Sequence, residues 1–415
     1  MLRDEPFSSD QLGTVMGVYE ELGLAPIINA SGTVTRLGGA PMPPAVVAAL
    51  TAAAEQWVPL EQLQAAASRR IAAVTGAEAG LVTAGSAAAL TLGTAALLAG
   101  HDLRRMERLP HCRGFPHEIV VAREHRSGYD HAVRAAGARL VEVGFNEVVA
   151  GAGVRRAEGW EYEAAFSERT AGVLYVFSSA SAPTLNEVVQ RAQRHQLPVL
   201  VDAAGELPPR TNLKLAETSG ADLIAYSGGK SIRGPQSTGI LCGRRHWITS
   251  AALQMLDMDD HEQLWDPPPD LIDRAKLAGI PRHGIGRGLK VSKEEIVALL
   301  VALDLFAAGD YLGELTHQRQ LLEQIAAAVA DTAAICTLRE SASPERPPLL
   351  EVDLAETGQD AFEVCRRLRL GAPPIYVSHG ELADGKLVIH PICLDDATTA
   401  TLGTRLREEL EHPRS

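Results

Sequence analysis

Pro198-Val199-Leu200-Val201-Asp202-Ala203-Ala204 and Asp222-Leu223-Ile224-Ala225-Tyr226-Ser227-Gly228-Gly229-Lys230-Ser231-Ile232-Arg233-Gly234-Pro235-Gln236 are short apolar runs, one ending in an acid and the other in a glycine-rich turn carrying a lysine. Similar apolar runs cover residues 80–82, 118–122, 139–143, 171–176 and 239–242, with helical patterns at 62–75, 86–98, 129–136 and 186–195 between them. Continuous apolar strands alternating with helices predict a mostly parallel seven-stranded sheet flanked by helices, an α/β architecture. Parallel strands bring their carboxyl ends to one crevice, so Asp202 and Lys230 are expected to meet there.

Outward from this core the pattern changes. The Asp-Pro-Pro-Pro stretch at 266–269 breaks the chain, and Ser292-Lys293-Glu294-Glu295 opens a long helix with a capping-box pattern. Strands at 349–354 and 386–390 and helices at 363–368 and 398–409 predict a smaller α+β domain, with an exposed loop at 341–348. The expected division is 1–44 as an N-terminal segment joining the small domain, 45–270 as the large domain and 271–415 as the small domain.

The 415 residues are 46% hydrophobic and 4% aromatic, with 39 Lys plus Arg against 52 Asp plus Glu and a net charge of −13. Such a balance, without a basic block, argues against nucleic acid or an anionic membrane as partner. The five cysteines are scattered without C-x-x-C spacing, so neither a disulfide framework nor a zinc finger is expected. His111, Cys112 and His117 match no common zinc spacing, and no metal is assigned. The uncharged run 81–100 has the length of a membrane span, but its threonines, serine and internal glycines suit a strand, turn and buried helix. The first thirteen residues lack a signal-peptide pattern, which makes the cytoplasm the expected compartment.

Lys230 carries the strongest chemical signal. A lysine held in a glycine-rich turn at a strand end suits Schiff-base chemistry, which needs the neutral amine. The segment is only half of a phosphate-binding Walker loop, because Ile224 stands where the first glycine belongs. An isolated lysine is ordinarily a solvated surface group; the acid at Asp202 argues otherwise, since it can pair with the pyridinium nitrogen of pyridoxal phosphate. Asp202 alone equally suits a turn cap. Ala204 is small enough to lie flat against a ring. Val82-Thr83-Ala84-Gly85-Ser86-Ala87 leads a strand through small residues into a helix, forming an anion site or merely a close-packed turn. His125, just beyond another strand end, is placed to stack on a ring opposite Ala204, and a surface or capping role is the plain alternative.

In this order, phosphate turn, histidine, aspartate and lysine, the sequence resembles a fold-type I pyridoxal-phosphate enzyme. The segment 227–236 is similar to that of the selenocysteine synthase (seryl-tRNA selenium transferase) branch. Residues 28–39, 108–110, 124–132 and 285–291 resemble D-glucosaminate-6-phosphate ammonia-lyase-type proteins within that branch. The resemblance implies pyridoxal 5'-phosphate on Lys230, Asp202 on the ring nitrogen, His125 over the ring, and Gly85, Ser86, Ala87 and Ser227 at the phosphate. It also implies a homodimer or higher homo-oligomer, with 236–238 serving a neighbouring subunit. For the substrate carboxylate the choice is Arg287, with Arg36 second, because guanidinium offers a bidentate fork; a structural ion pair is the alternative for either.

Two departures bear on activity. The branch's tRNA enzymes carry an additional N-terminal domain, whereas here the catalytic body begins near Leu22, and Gly229 occupies a place where they commonly have an acid. With the net charge of −13 this points to a small-molecule amino acid substrate. The function expected is a lyase performing α,β-elimination on a hydroxylated amino acid or amino sugar acid, giving a 2-keto acid and ammonia. The alternatives are a racemase or epimerase, an aldolase and, more remotely, a tRNA-dependent selenium transferase-like enzyme.

Overall fold

The computed structural model describes residues 17–145 and 156–411. The first thirteen residues, read above for a signal segment, lie outside them. The strands in chain order are β1 Ile28–Ala30, β2 Ala79–Thr83, β3 Glu118–Ala122, β4 Arg139–Val143, β5 Thr170–Val176, β6 Val199–Asp202, β7 Leu223–Ser227, β8 Gly239–Gly243, β9 Ile335–Arg339, β10 Leu349–Asp353, β11 Ile375–Val377 and β12 Lys386–Ile389. Two compact units are formed, one from residues 42–310 and the other from the chain through Pro41 together with Tyr311 onward.

The larger unit holds a seven-stranded sheet in the order β2-β8-β7-β6-β5-β3-β4. Only β8 runs antiparallel, against β2 on one side and β7 on the other. All seven strands coincide with the apolar runs of the sequence to within a residue or two. Strands β2, β3 and β8 are buried at every position, as a sheet covered on both faces requires. The apolar run 81–100 is strand β2, a turn and the Gly85–Ala99 helix, eleven of whose residues are buried in the core. Gly93 sets how closely that helix lies on the sheet: a Cβ there would stand 3.0 Å from Leu200 Cδ1. No single helix among the described residues is long and apolar enough to cross a membrane.

The boundary between units falls at Asp310 rather than at the proline-rich break near 270. The Lys293–Ala308 helix packs on the Pro44–Ala54 and Leu60–Thr75 helices of the large unit. Polar contacts reinforce this packing: Lys293 Nζ donates to Ala53 O at 2.6 Å, Arg70 pairs with Asp304 at 2.5 Å and Arg210 donates to Ala307 O at 3.2 Å. At the N-terminal side the division is at Pro41, close to the expected residue 44.

In the smaller unit β10 lies between β12 and β9 in an antiparallel sheet, and β1 pairs in parallel with β11. Strands β1, β9 and β11 were not anticipated. Two of them have three residues, too few for a period, and β9 has no fully buried position. The 341–348 segment is a loop, as its composition predicts.

Leu200 is buried between the sheet and the Gly85–Ala99 helix. Leu200→Ala is expected to cost about 2–5 kcal/mol, the range for an unrelieved core cavity, read as a lowered thermal unfolding midpoint.

Candidate active site

The carboxyl ends of β3, β5, β6 and β7 lie side by side, because these strands are parallel neighbours in the order β7-β6-β5-β3. Asp202, the last residue of β6, stands opposite Val176 of β5 and Ala225 of β7. Its Oδ1 accepts the Ala204 N–H at 3.0 Å, and Phe177 N–H donates to its carbonyl at 2.8 Å. Burial pushes the carboxyl pKa up, opposed by the Ala204 amide and by the charge of Lys230. Asp202 and Lys230, 28 positions apart, thus share one electrostatic environment, as the strand topology predicts.

Lys230 follows β7 in a turn whose backbone folds back on itself. Gly228 N–H donates to Thr238 O and Gly234 N–H to Gly228 O, both at 2.9 Å, and Arg233 N–H closes on Lys230 O at 2.9 Å. Ser231 Oγ donates to Leu207 O at 2.7 Å, tying the turn to the segment after β6. A side chain at Gly229 would place its Cβ 2.4 Å from Gln236 Cα. That approach excludes any larger residue before the lysine, which accounts physically for the glycine where an acid was noted as the commoner choice. Arg233 adopts φ +62°, a left-handed conformation held by these contacts.

Across the sheet, β2 turns into the Gly85–Ala99 helix at Ala84, with no side chain capping its first turn. The helix start faces the beginning of β8: a Cβ on Gly239 would lie 2.4 Å from Gly85 C and 2.6 Å from Ser86 N. Gly85 itself has φ +84°. Free N–H groups and the helix dipole therefore meet a cradle that only glycine permits, suited to an oxyanion. Ser227 pairs with Gly239 across β7 and β8, so the lysine turn and this cradle are joined by the ladder.

His125 lies in the short helical turn Arg123–His125 after β3 and is buried. Its ring meets Tyr175 edge-on, centroids 4.8 Å apart, and Tyr175 is fixed by its hydroxyl donating to Pro183 O at 2.9 Å. Nδ1 accepts the Val176 N–H at 3.4 Å. Burial lowers the imidazole pKa, partly countered by Glu124. A buried ring whose Nδ1 accepts is neutral with the proton on Nε2.

The two arginines chosen from sequence make the following contacts. Arg287 makes an ion pair with Asp257, whose carboxyl is held down to about 2 by the Asp259 amide, His283 and Arg287. It lines a pocket of about 160 Å³ with Leu60, Gln64, Asp257 and Lys290. The structural ion pair weighed against its substrate role is therefore present. Arg36 lies in the smaller unit, exposed, over the Tyr376 ring. Of the residues considered for metal, Cys112 is buried and His117 Nδ1 lies 2.9 Å from Phe115 O.

Sequence reading missed Tyr175, an ordinary strand residue until the fold sets it against His125. It also missed Glu295, legible only as a helix cap. Glu295 accepts from Ser292 at the helix start and from the Ser237 hydroxyl, so the same carboxylate anchors the lysine loop.

The model of the L-seryl-tRNA selenium transferase (SelA) family matches residues 27–258. The chain is 29% identical to D-glucosaminate-6-phosphate ammonia lyase of Salmonella typhimurium, over 95% of this chain and 98% of the relative. It is 30% identical to a 5'-C-glycyluridine monooxygenase-decarboxylase of a Streptomyces species, over 99% and 96%. A solved structure of D-glucosaminate-6-phosphate ammonia-lyase superposes with a TM-score of 0.77 at 28% identity, covering 96% of this chain and 99% of that one.

Because His125 is depressed below its ordinary value near 6.5, the unfolded chain binds the extra proton first as pH falls. Its stabilising contribution is complete above about pH 6.5 and is lost as pH falls through the window beneath it. His125→Gln is expected to flatten the fall in thermal midpoint as pH drops below about 6.5; an unchanged slope would show that other groups set it.

Proposed function

Because the chain belongs to the L-seryl-tRNA selenium transferase family of fold-type I, pyridoxal 5'-phosphate-dependent enzymes, we propose that it is a lyase acting on a hydroxylated amino acid or amino sugar acid. The reaction removes the Cα proton and the β-hydroxyl as water; the resulting enamine hydrolyses to a 2-keto acid and ammonia. The observation that carries the reading is the convergence of Asp202 and Lys230 at the adjacent carboxyl ends of β6 and β7. Likeness to the ammonia lyase along nearly the whole chain supports the reaction class.

The residues present fit the cofactor. Asp202 is a mostly buried carboxylate with one described side-chain hydrogen bond, from Ala204, so a proton-bearing ring nitrogen completes its charge balance. The uncapped helix start at Gly85, Ser86 and Ala87, with Gly239 against it and Ser227 nearby on the ladder, suits the phosphate. Lys230 is the Schiff-base residue, Ala204 lies on the Asp202 side, and neutral His125 offers its ring. When bound, the cofactor supplies an electron sink for the charge left at Cα.

In this mechanism the chain's own groups hold and move protons. Lys230 Nζ would receive the Cα proton as general base. Asp202 keeps its partner nitrogen protonated, which the low-dielectric strand end strengthens. His125, locked by Tyr175 and Val176, keeps one orientation throughout.

A second reading rests on the 30% identity to the monooxygenase-decarboxylase: the same residues would serve an oxygen-consuming loss of carboxylate. Oxygen uptake and carbon dioxide release, measured beside 2-keto acid and ammonia on a panel of D- and L-hydroxy amino acids, separate the two. Solvent deuterium returned to Cα without ammonia would instead indicate racemisation, and a released aldehyde aldol cleavage.

Lys230→Ala is expected to abolish the absorption band near the visible edge in the purified protein, and an unchanged spectrum would remove Lys230 from its role. Asp202→Asn should retain the band yet lower turnover by about 100-fold or more, the loss of roughly 2.7 kcal/mol of stabilisation, measured as ammonia release.

A further inference from the structure

Arg36 and Arg369 both lie over the ring of Tyr376, their guanidinium carbons 5.7 and 5.1 Å from its centroid. Three segments of the smaller unit bring them there. Tyr376 is the middle residue of β11, its neighbours Ile375 and Val377 buried in the core, so its ring takes the opposite face. Asn29 of β1 pairs with Tyr376, and the chain after β1 leads into the Thr35–Leu37 turn that carries Arg36. Arg369 sits in the last turn of the Ala361–Leu370 helix. Both charges also act on the buried thiol of Cys365.

Two like charges on one ring repel each other unless a carboxylate lies between them. Elsewhere in this unit arginines have one: Arg319 pairs with Glu340, Arg339 with Glu381, Arg366 with Glu363, Arg367 with Glu409 and Arg407 with Glu411. Among the described residues, no acid pairs with Arg36 or Arg369, although the chain carries 52 acids against 39 bases. The Arg369 guanidinium reaches the Cys365 thiol, a weak neutral acceptor, by a side-chain hydrogen bond, while its Nε is buried without a hydrogen-bond partner, a costly state for a charged donor. The helix dipole favours a cation at Arg369, but it explains neither Arg36 nor the orphaned Nε.

We propose that Arg36, Arg369 and Tyr376 form a binding site for a phosphoryl oxyanion carried by a small molecule. A phosphoryl group bears about −1.5 to −2 at neutral pH and matches two guanidinium forks, whereas a single carboxylate neutralises one. This goes beyond the proposed lyase reaction: it requires neither Lys230 nor turnover, and its failure leaves that reaction untouched.

The test is calorimetric titration of the cofactor-loaded full-length protein, so that the cofactor phosphate already fills its own site, with inorganic phosphate, methyl phosphate and acetate. Wild type is expected to bind inorganic phosphate, and Arg36→Gln and Arg369→Gln each to weaken it by about tenfold or more. Arg366→Gln, on the same helix but paired with Glu363, should bind as wild type. Methyl phosphate binding with similar affinity identifies an ester as an acceptable occupant, and binding of inorganic phosphate alone identifies the free ion; either supports the oxyanion site. Absence of phosphate binding, wild-type affinity in both variants, or acetate binding as tightly as phosphate overturns it. If Arg369→Gln loses its far-ultraviolet circular dichroism, the exposed Arg36→Gln decides.

Discussion

The register of β5, β6 and β7 is the constraint on which the candidate site depends. Val176, Asp202 and Ala225 stand abreast across three parallel strands. A one-residue slip of β6 would turn Asp202 to the other face and separate it from the lysine turn. The register is held by continuous burial of the strands and, at the opposite end, by Asp222 accepting the Val199 N–H at 2.9 Å while paired with Arg244. The same alignment lets Val176 reach His125 and Phe177 reach the Asp202 carbonyl. Packing thus sets the chemistry before any ligand does.

A second dependence is the absence of side chains at a few backbone crossings. Gly239 allows the start of β8 to pass the head of the Gly85–Ala99 helix, and Gly229 allows the lysine turn to fold onto Gln236. Each removes a Cβ that would otherwise force the anion cradle or the lysine outward. Glu295 links this region to a helix contributed much later in the chain, and that helix carries the boundary of the large unit out to Asp310.

Charge is distributed with similar selectivity. Most of the described ion pairs lie at the surface, several of them between neighbours on one helix, where each contributes little. Against that background the informative groups are those left out of such pairs or taken from water: Asp202, lifted by burial, and the two arginines over Tyr376. Arg287 shows the converse, since the guanidinium chosen for substrate in sequence has a carboxylate partner in Asp257.

Residue order alone determined the large sheet, because burial on both faces demands continuous apolar strands and leaves a signal that local reading detects. It also determined that Asp202 and Lys230 stand at or just beyond the carboxyl ends of neighbouring parallel strands, and the capped helix at Ser292, whose signal lies within one turn. Only the tertiary structure decided the unit boundary, the edge contact of Tyr175 with His125, the second use of Glu295, the partner of Arg287 and the meeting of Arg36 with Arg369. Each of these is a contact between segments distant in the chain, made by side chains whose local pattern is that of an ordinary cap, strand or surface residue. Periodicity records which face of an element is buried, and it carries no information about which distant group that face will meet.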